Sequence, residues 1–273
     1  MTNAPSFYGP LVWLGYLALA VWLITSRRQP DSRSAHTQRH EHAAIGLLLL
    51  IQAPLVFAPL MSTQPHFGAS EALALLTWSA TLIYWTAAFS LRLEGLQLIL
   101  IPVATTSQAI ALLLPAGHAT PWLAAPLMQL HFAIAMLAYA FFAVTAGLAV
   151  LMWVADRQLH RPAQSLLSQL PPLIALERLL FLTMTLGLAL LTATLATGTL
   201  FTEELFGAPF RLNHKLVFSV SAWLVFSGLL WARRARGLRG RAAAIGTLTG
   251  FSFLLLAYIG SRFVLDIVLQ RAG

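Results

Sequence analysis

Residues 128–154 read MQLHFAIAMLAYAFFAVTAGLAVLMWV and contain no Asp, Glu, Lys or Arg. A helix needs roughly 20 mostly apolar residues to cross a bilayer, so this run is long enough to span one. Seven other stretches have the same character and are separated by short loops rich in Pro, Gly or charge. The eight predicted spans are residues 8–25, 43–61, 71–91, 95–115, 128–154, 176–200, 214–232 and 242–261.

The composition agrees with a membrane protein. Hydrophobic residues make up 58% of the chain and charged residues only 10%, and the mean hydropathy is +0.76. Soluble domains carry about 25% charged residues, so a soluble fold of this composition is excluded. We therefore predict an all-α polytopic protein with about eight transmembrane helices, organised as one transmembrane domain over residues 1–273. The chain has no cysteine, which excludes disulfides and thiolate metal sites.

The distribution of Lys and Arg predicts the orientation in the membrane. Thirteen of the 17 basic residues lie in the odd-numbered loops. The four exceptions are Arg211, Lys215, Arg262 and Arg271. The positive-inside rule places the odd-numbered loops in the cytoplasm, so both termini are predicted to be periplasmic and the membrane to be a bacterial inner membrane. The net charge of +8 is explained by this orientation, and a nucleic-acid partner is not predicted.

Few residue patterns point to catalysis. The sequence shows no Ser/His/Asp arrangement, no paired carboxylates, no phosphate-binding loop and no row of acidic residues. This argues against a hydrolase, an ATPase or a cation-coupled transporter. The eight histidines are the informative residues, and two of them stand out. His131 lies about three residues inside the fifth predicted helix and His214 opens the seventh, so both imidazoles are predicted near the outer interface.

Two imidazoles at one depth are compatible with haem, because imidazole is an axial ligand of haem iron. Phe206, Phe210 and Phe218 flank His214 and are candidates to contact a porphyrin. The alternative is that these side chains only anchor the helix ends at the interface, where aromatic residues are common. Spacing alone does not decide between the two interpretations.

His42 is a third candidate. It is predicted to begin the second helix at the cytoplasmic face, within His40-Glu41-His42. Either it is a solvated histidine at the end of a loop, or it is a ligand of a second site nearer the cytoplasm. Three amides in predicted spans, Gln52, Gln97 and Gln108, are expected to bond between helices.

Three segments resemble a known family. They are TGTLFTEELFGAPFRLNHKLVFSVSAW at 197–223, LHFAIAMLAYAFFAVTAG at 130–147 and LLLAYIGSRFVL at 254–265. Together they resemble the CcsA-like cytochrome c assembly proteins, and more closely the eight-helix YpjD-type branch. The resemblance covers nearly the whole chain and implies a membrane protein that handles haem. It also implies that His131 matches the family's first outer axial histidine.

The family's tryptophan-rich outer loop has the form WGxxWxWDPKE. The matching residues 206–216 read FGAPFRLNHKL, so Gly207 and Lys215 are kept while the tryptophans are replaced. The family's second outer histidine follows the last helix, where this chain has none, and we expect His214 to replace it. These departures argue against an enzyme that attaches haem to apocytochrome c, whereas haem binding or transfer remains expected.

The leading hypothesis is a protein that binds haem b and acts in cytochrome c assembly. Its expected partners are other assembly proteins or another membrane protein. His131 and His214 would be the axial ligands, and Arg211 or Lys215 would pair with a propionate. The alternative is a haem-free accessory or regulatory subunit of an ion-export or haem-biosynthesis partner. A transporter of a small hydrophobic molecule is a third option.

Overall fold

The computed structural model describes residues 7–26, 35–62, 64–91, 93, 95–114, 117–158, 172–206 and 214–260. Within these ranges the chain forms eight α-helices and two very short strands. The helices are α1 Tyr8–Ser26, α2 Ala35–Met61, α3 Ala69–Ala87, α4 Gln97–Leu113, α5 Pro126–Gln158, α6 Leu173–Phe206, α7 His214–Arg236 and α8 Gly240–Leu255. A 3-10 turn covers Pro121–Ala124, and a π-helical turn, Leu256–Gly260, continues α8.

The predicted all-α class and helix number are confirmed, but several helix ends were predicted wrongly. Helix α2 begins at Ala35 instead of residue 43, and α6 continues to Phe206 instead of residue 200. The extension of α2 is largely polar or charged, and half of the extension of α6 is. A search for apolar runs stops where hydrophobicity stops, whereas the backbone hydrogen bonds of a helix continue through polar residues.

Within the described ranges, six helices are long and apolar enough to cross a membrane: α1, α2, α5, α6, α7, and α8 together with the π-helical turn as far as Tyr258. Helix α4 is apolar but shorter than these spans. Large apolar side chains are exposed along several of these helices. Leu14, Leu50 and Leu224 are 54%, 73% and 58% exposed. Such surface suits contact with lipid, and internal hydrogen bonding of the helical backbone satisfies its polar groups there.

The helices form two compact units. Unit 1 contains α1–α4 with the two strands, and unit 2 contains α5–α8. The organisation of residues 1–273 as one transmembrane domain stays a prediction. The candidate residues divide between the units, because His42 belongs to unit 1 while His131, His214, Lys215 and Phe218 belong to unit 2.

Buried amides connect the helices of unit 1. Gln52 of α2 accepts a hydrogen bond from the Tyr16 hydroxyl of α1 at 2.6 Å and donates to the Ala74 carbonyl of α3 at 3.2 Å. Gln108 of α4 donates to the Thr77 hydroxyl of α3 at 3.0 Å. These bonds satisfy polar groups that would be costly to bury unpaired.

Two further contacts tie α2 to its neighbours. The Gln97 amide of α4 donates to the buried Glu41 carboxyl group at 3.4 Å. The Trp78 indole of α3 donates to the Leu49 carbonyl at 2.9 Å. All three predicted amides therefore bond between helices, as expected from the sequence.

Two short strands of unit 1 pair with each other, one between α2 and α3 and the other after α4. Strand β1, His66–Phe67, pairs antiparallel with β2, His118–Ala119. The Glu71 carboxylate beside them accepts from the backbone N–H groups of Gly68 at 2.8 Å and Gly117 at 3.1 Å. The backbones approach so closely that a Cβ on Gly117 would lie 2.2 Å from the Gly68 nitrogen. Only glycine fits this position without a shift of the backbone.

All four helices of unit 2 meet at one aromatic pair. Phe142 of α5 and Phe226 of α7 are fully buried and stacked, with ring centroids 4.0 Å apart. Gly187 of α6 faces the Phe142 ring and Gly250 of α8 faces the Phe226 ring. A Cβ would lie 3.2 Å from the ring at Gly187 and 2.8 Å at Gly250. The two glycines thus make room for the rings and bring the helices together.

Candidate functional site

His131 lies in the second turn of α5, on the helix that also carries Phe142. Its ring is half-buried. The Nδ1 atom is 2.7 Å from the Thr197 hydroxyl oxygen of α6. The Thr197 hydroxyl donates to the Ala193 carbonyl at 2.8 Å and to the Thr194 carbonyl at 3.2 Å. Since a hydroxyl has one hydrogen, it donates to one acceptor at a time, and its role toward His131 depends on the tautomer of the imidazole.

One tautomer of the neutral imidazole suits a metal ligand. If Nδ1 donates to Thr197, the proton is on Nδ1 and the lone pair is on Nε2. Histidine ligands of metals are commonly held in this way, with the second ring nitrogen donating to a fixed acceptor. The contact with Thr197 orients the His131 ring, and in this tautomer Nε2 is the nitrogen that can act as a ligand.

The residue after Thr197 allows close packing against the ring. A Cβ on Gly198 would lie 3.3 Å from His131 Cε1 and 4.0 Å from Nε2. The first of these distances is tighter than ordinary van der Waals contact. Gly198 therefore lets the backbone of α6 approach the imidazole more closely than a larger residue would.

His214 and Lys215 are the first two residues of α7, and both side chains are exposed. Lys215 is within electrostatic reach of His131. That both imidazoles lie at one depth stays a prediction. His214 makes no hydrogen bond to any residue in the described ranges, whereas His131 is bonded to Thr197.

Phe218 lies one turn beyond His214 on the same face of α7. Its ring is half-buried, and its centroid is 6.3 Å from that of Phe253 in α8. A second aromatic pair, Tyr139 of α5 and Tyr258, has centroids 6.1 Å apart. Aromatic side chains thus line the interior of unit 2 on α5, α7 and α8.

The other predicted members of this site cannot be compared with the structure. Phe206 is the last residue of α6, and its side chain falls outside the described part of the chain. Phe210 and Arg211 also lie outside the described residues.

His42 lies in unit 1, inside α2 rather than at its start, because α2 begins at Ala35. Its half-buried ring stacks on Trp85 at 5.1 Å between centroids and meets the edge of Phe89 at 4.2 Å. The Trp85 indole donates to the His42 carbonyl at 2.9 Å. The interpretation of His42 as a solvated histidine at a loop end is therefore wrong.

An open cleft of about 830 Å³ runs along α2 and α3 beside His42. Arg39 lies toward one end, while Leu50, Ala53 and Trp78 line the other. The Nε2 atom of His42 is buried and has no hydrogen-bond partner among the described residues. A buried polar atom without a partner is costly, so a partner for Nε2 from a bound molecule would be stabilising.

The profile of one protein family, described as cytochrome C assembly protein, matches residues 67–269. The chain belongs to the cytochrome c assembly protein family. Membership supports a role in cytochrome c biogenesis. The matched range contains His131, Thr197, Gly198 and His214, whereas His42 precedes it.

Individual relatives support the same assignment. The inner membrane protein YpjD of Escherichia coli K12 is 34% identical over 166 residues, which cover 60% of this chain and 62% of YpjD. The match thus spans less than two thirds of that relative. A 28.8 kDa protein of Azospirillum brasilense is 32% identical over 210 residues, covering 75% and 77% of the two chains. The cytochrome c biogenesis protein CcsA of Prochlorococcus marinus is 26% identical over 292 residues, covering 93% and 91%.

Sequence reasoning missed the two residues of α6 that hold and accommodate His131. Thr197 and Gly198 lie near the end of the predicted span 176–200, and neither residue type is unusual at the end of a helix. One signal was available: an internal helical glycine costs about 1 kcal/mol relative to alanine and usually has a packing or functional reason. The partner of that glycine, however, lies on another helix and cannot be found from spacing.

Proposed function

We propose that this chain is a bacterial inner-membrane protein that binds haem b in unit 2 and handles it during cytochrome c assembly. The observation that carries the proposal is the Thr197–His131 hydrogen bond of 2.7 Å. It holds the ring in place, and with the proton on Nδ1 the lone pair on Nε2 is available to iron, as a haem ligand needs. The close packing of the ring on Gly198 fixes its position further.

The residues around His131 have distinct roles in this proposal. His131 is the first axial ligand, and His214 at the start of α7 is the second. Phe218 contacts the porphyrin together with Phe206 and Phe210. Lys215 or Arg211 pairs with a propionate, since basic side chains form strong charge-assisted hydrogen bonds with carboxylates. Haem, when bound, would supply a redox-active iron and two carboxylates to this site.

His42 is the ligand of a second site in the proposal. The cleft beside it offers aromatic faces, an imidazole nitrogen without a described partner, and Arg39 toward one end. Its volume of about 830 Å³ lies within the usual range of 300–1,000 Å³ for small-molecule pockets. Haem entering from the cytoplasmic leaflet would meet this cleft in unit 1. Other cytochrome c assembly proteins are the expected partners that deliver or receive it.

Absorption spectroscopy of the detergent-purified protein tests the proposal. We expect a Soret band and sharp α and β bands after dithionite reduction, and a pyridine haemochrome spectrum of haem b. The bands should weaken in His131→Ala and in His214→Ala, while His42→Ala should lower the haem content without abolishing it. A variant of an exposed histidine, His40→Ala, is the matched control for His42→Ala.

A colourless protein, even after haem is supplied during expression, would contradict the proposal. That result would favour the haem-free accessory or regulatory subunit. Two features favour this alternative: the side chain of His214 is exposed, and phenylalanines replace the family's tryptophans. The next experiment would then be to extract the protein from its native membrane and identify the proteins that co-purify with it.

A further inference from the structure

The turn between α7 and α8 carries the densest charge in the described chain. We name residues 233–241 the arginine turn. It contains five arginines and no acidic residue: Arg233, Arg234, Arg236, Arg239 and Arg241. The positive-inside rule accounts for the side of the membrane on which such residues lie. It does not account for a defined arrangement of their side chains.

The backbone of the arginine turn has a defined shape. Gly237 and Gly240 have φ angles of 65° and 59°, which favour glycine. The Leu238 N–H donates to the Ala232 carbonyl at 3.2 Å, closing the end of α7. The Gly240 N–H lies 3.4 Å from a Glu177 carboxylate oxygen of α6. The turn is thereby attached to the neighbouring helix.

One arginine is used to hold the turn in place. Arg233 forms an ion pair with Glu177, and its guanidinium lies 4.2 Å from the centre of the Phe181 ring. Arg239 is also near Glu177, at 3.8 Å, but its side chain is 75% exposed. Asp156, near the end of α5, has an interaction of its own. The described carboxylates at this end of unit 2 are therefore already engaged.

The remaining arginines, Arg234, Arg236 and Arg241, are exposed and lie within eight residues of the chain. Arg234 and Arg241 make no ion pair with any residue in the described ranges, and Arg236 lies 5.2 Å from the centre of the Trp231 ring. Trp231 is 60% exposed and follows the apolar part of α7. Tryptophan and arginine at the end of a spanning helix mark the depth of the lipid head groups.

We propose that the arginine turn binds the phosphate group of an anionic phospholipid. Arg234, Arg236 and Arg241 donate to the phosphate oxygens, and Trp231 contacts the lipid near its glycerol. Arginine suits this role, because its planar guanidinium donates two parallel hydrogen bonds to phosphate. The fixed turn holds the donors together before the lipid binds. This inference does not depend on haem binding.

Native mass spectrometry of the delipidated full-length protein tests the inference. Phosphatidylglycerol is titrated, with phosphatidylcholine as the reference lipid. A basic residue near an anionic lipid surface contributes about 1 kcal/mol, which corresponds to about a fivefold change in affinity. The variant Arg234→Gln/Arg236→Gln/Arg241→Gln should therefore lose preference for phosphatidylglycerol by up to about a hundredfold. Arg178→Gln, an exposed arginine of α6 outside the arginine turn, is the matched control and should bind as wild type does.

A second measurement needs no substitution in the arginines. Brominated phosphatidylglycerol should quench tryptophan fluorescence more strongly than brominated phosphatidylcholine, and Trp231→Phe should remove that difference. Equal binding of the two lipids to the wild type, or an unchanged preference in the triple variant, would overturn the inference. Displacement of the lipid by millimolar inorganic phosphate would overturn the assignment to a lipid and indicate a site for a free anion.

Discussion

Replacing Thr197 by valine removes the hydroxyl that is hydrogen-bonded to His131 Nδ1 and changes the side-chain volume little. An unsatisfied buried polar atom costs about 1–3 kcal/mol. Because the His131 ring is only half-buried, water can replace part of the lost bond, and the lower end of that range applies. At about 1.4 kcal/mol for each tenfold change, we expect haem affinity to fall about tenfold. Losses of 10- to 100-fold are typical when such orienting partners of metal ligands are removed.

The assay is a haem titration of apoprotein in nanodiscs, followed at the Soret band, with three variants. Thr197→Ser keeps the hydroxyl, so its haem affinity should stay within about twofold of wild type. That change is much smaller than the roughly tenfold loss expected when the ring is no longer oriented. Thr194→Val is the matched control, because the hydroxyl of this half-buried threonine bonds only to the Leu190 carbonyl of its own helix, at 2.8 Å. Equal affinity of Thr197→Val and wild type, or an equal loss in Thr194→Val, would refute the orienting role of Thr197.

Three further outcomes are expected. Gly198→Ala should weaken haem binding, measured by the haem titration, because the new Cβ would lie 3.3 Å from His131 Cε1. It should not lower the melting temperature, measured by calorimetry, because alanine favours the helix. Phe226→Ala should destabilise the folded protein by about 3–5 kcal/mol in denaturant unfolding, since it opens a cavity at the centre of unit 2. Gly117→Ala should lower the melting temperature, whereas Gly228→Ala should not, because a Cβ on Gly228 meets no atom within 4 Å.

Long apolar runs predicted the helices well, because the bilayer imposes a length and a composition on every span. The same reasoning placed the start of α2 too late and left His42 at the end of a loop. His42 in fact contacts Trp85 of α3 and Phe89 in the turn that follows it. Contacts between helices distant in sequence leave no periodic trace in a single chain.

In the candidate site of unit 2, too, the sequence predicted some residues and gave no indication of others. His131 and His214 were recognisable, since each is a polar residue at the end of an apolar run. The interaction that gives His131 a direction comes from Thr197, 66 positions away. Threonines are frequent in α6, and each of the five with described side chains, Thr183, Thr185, Thr192, Thr194 and Thr197, bonds to a carbonyl of its own helix. Nothing in the local sequence distinguishes Thr197 from the others, and only the packing of α5 on α6 does so.

The two proposed ligands differ in how firmly they are held, and this difference bears on function. His131 is half-buried, hydrogen-bonded by Thr197 and bordered by Gly198. His214 is exposed, at the first residue of α7. A protein that handles haem must bind it and also release it, so one firm and one exchangeable ligand suit that task. On the proposed function, His214→Ala should retain haem with a spectrum altered by the loss of one ligand, whereas His131→Ala should lose most of it. Equal loss in the two variants would instead indicate that the ligands act as an equivalent pair.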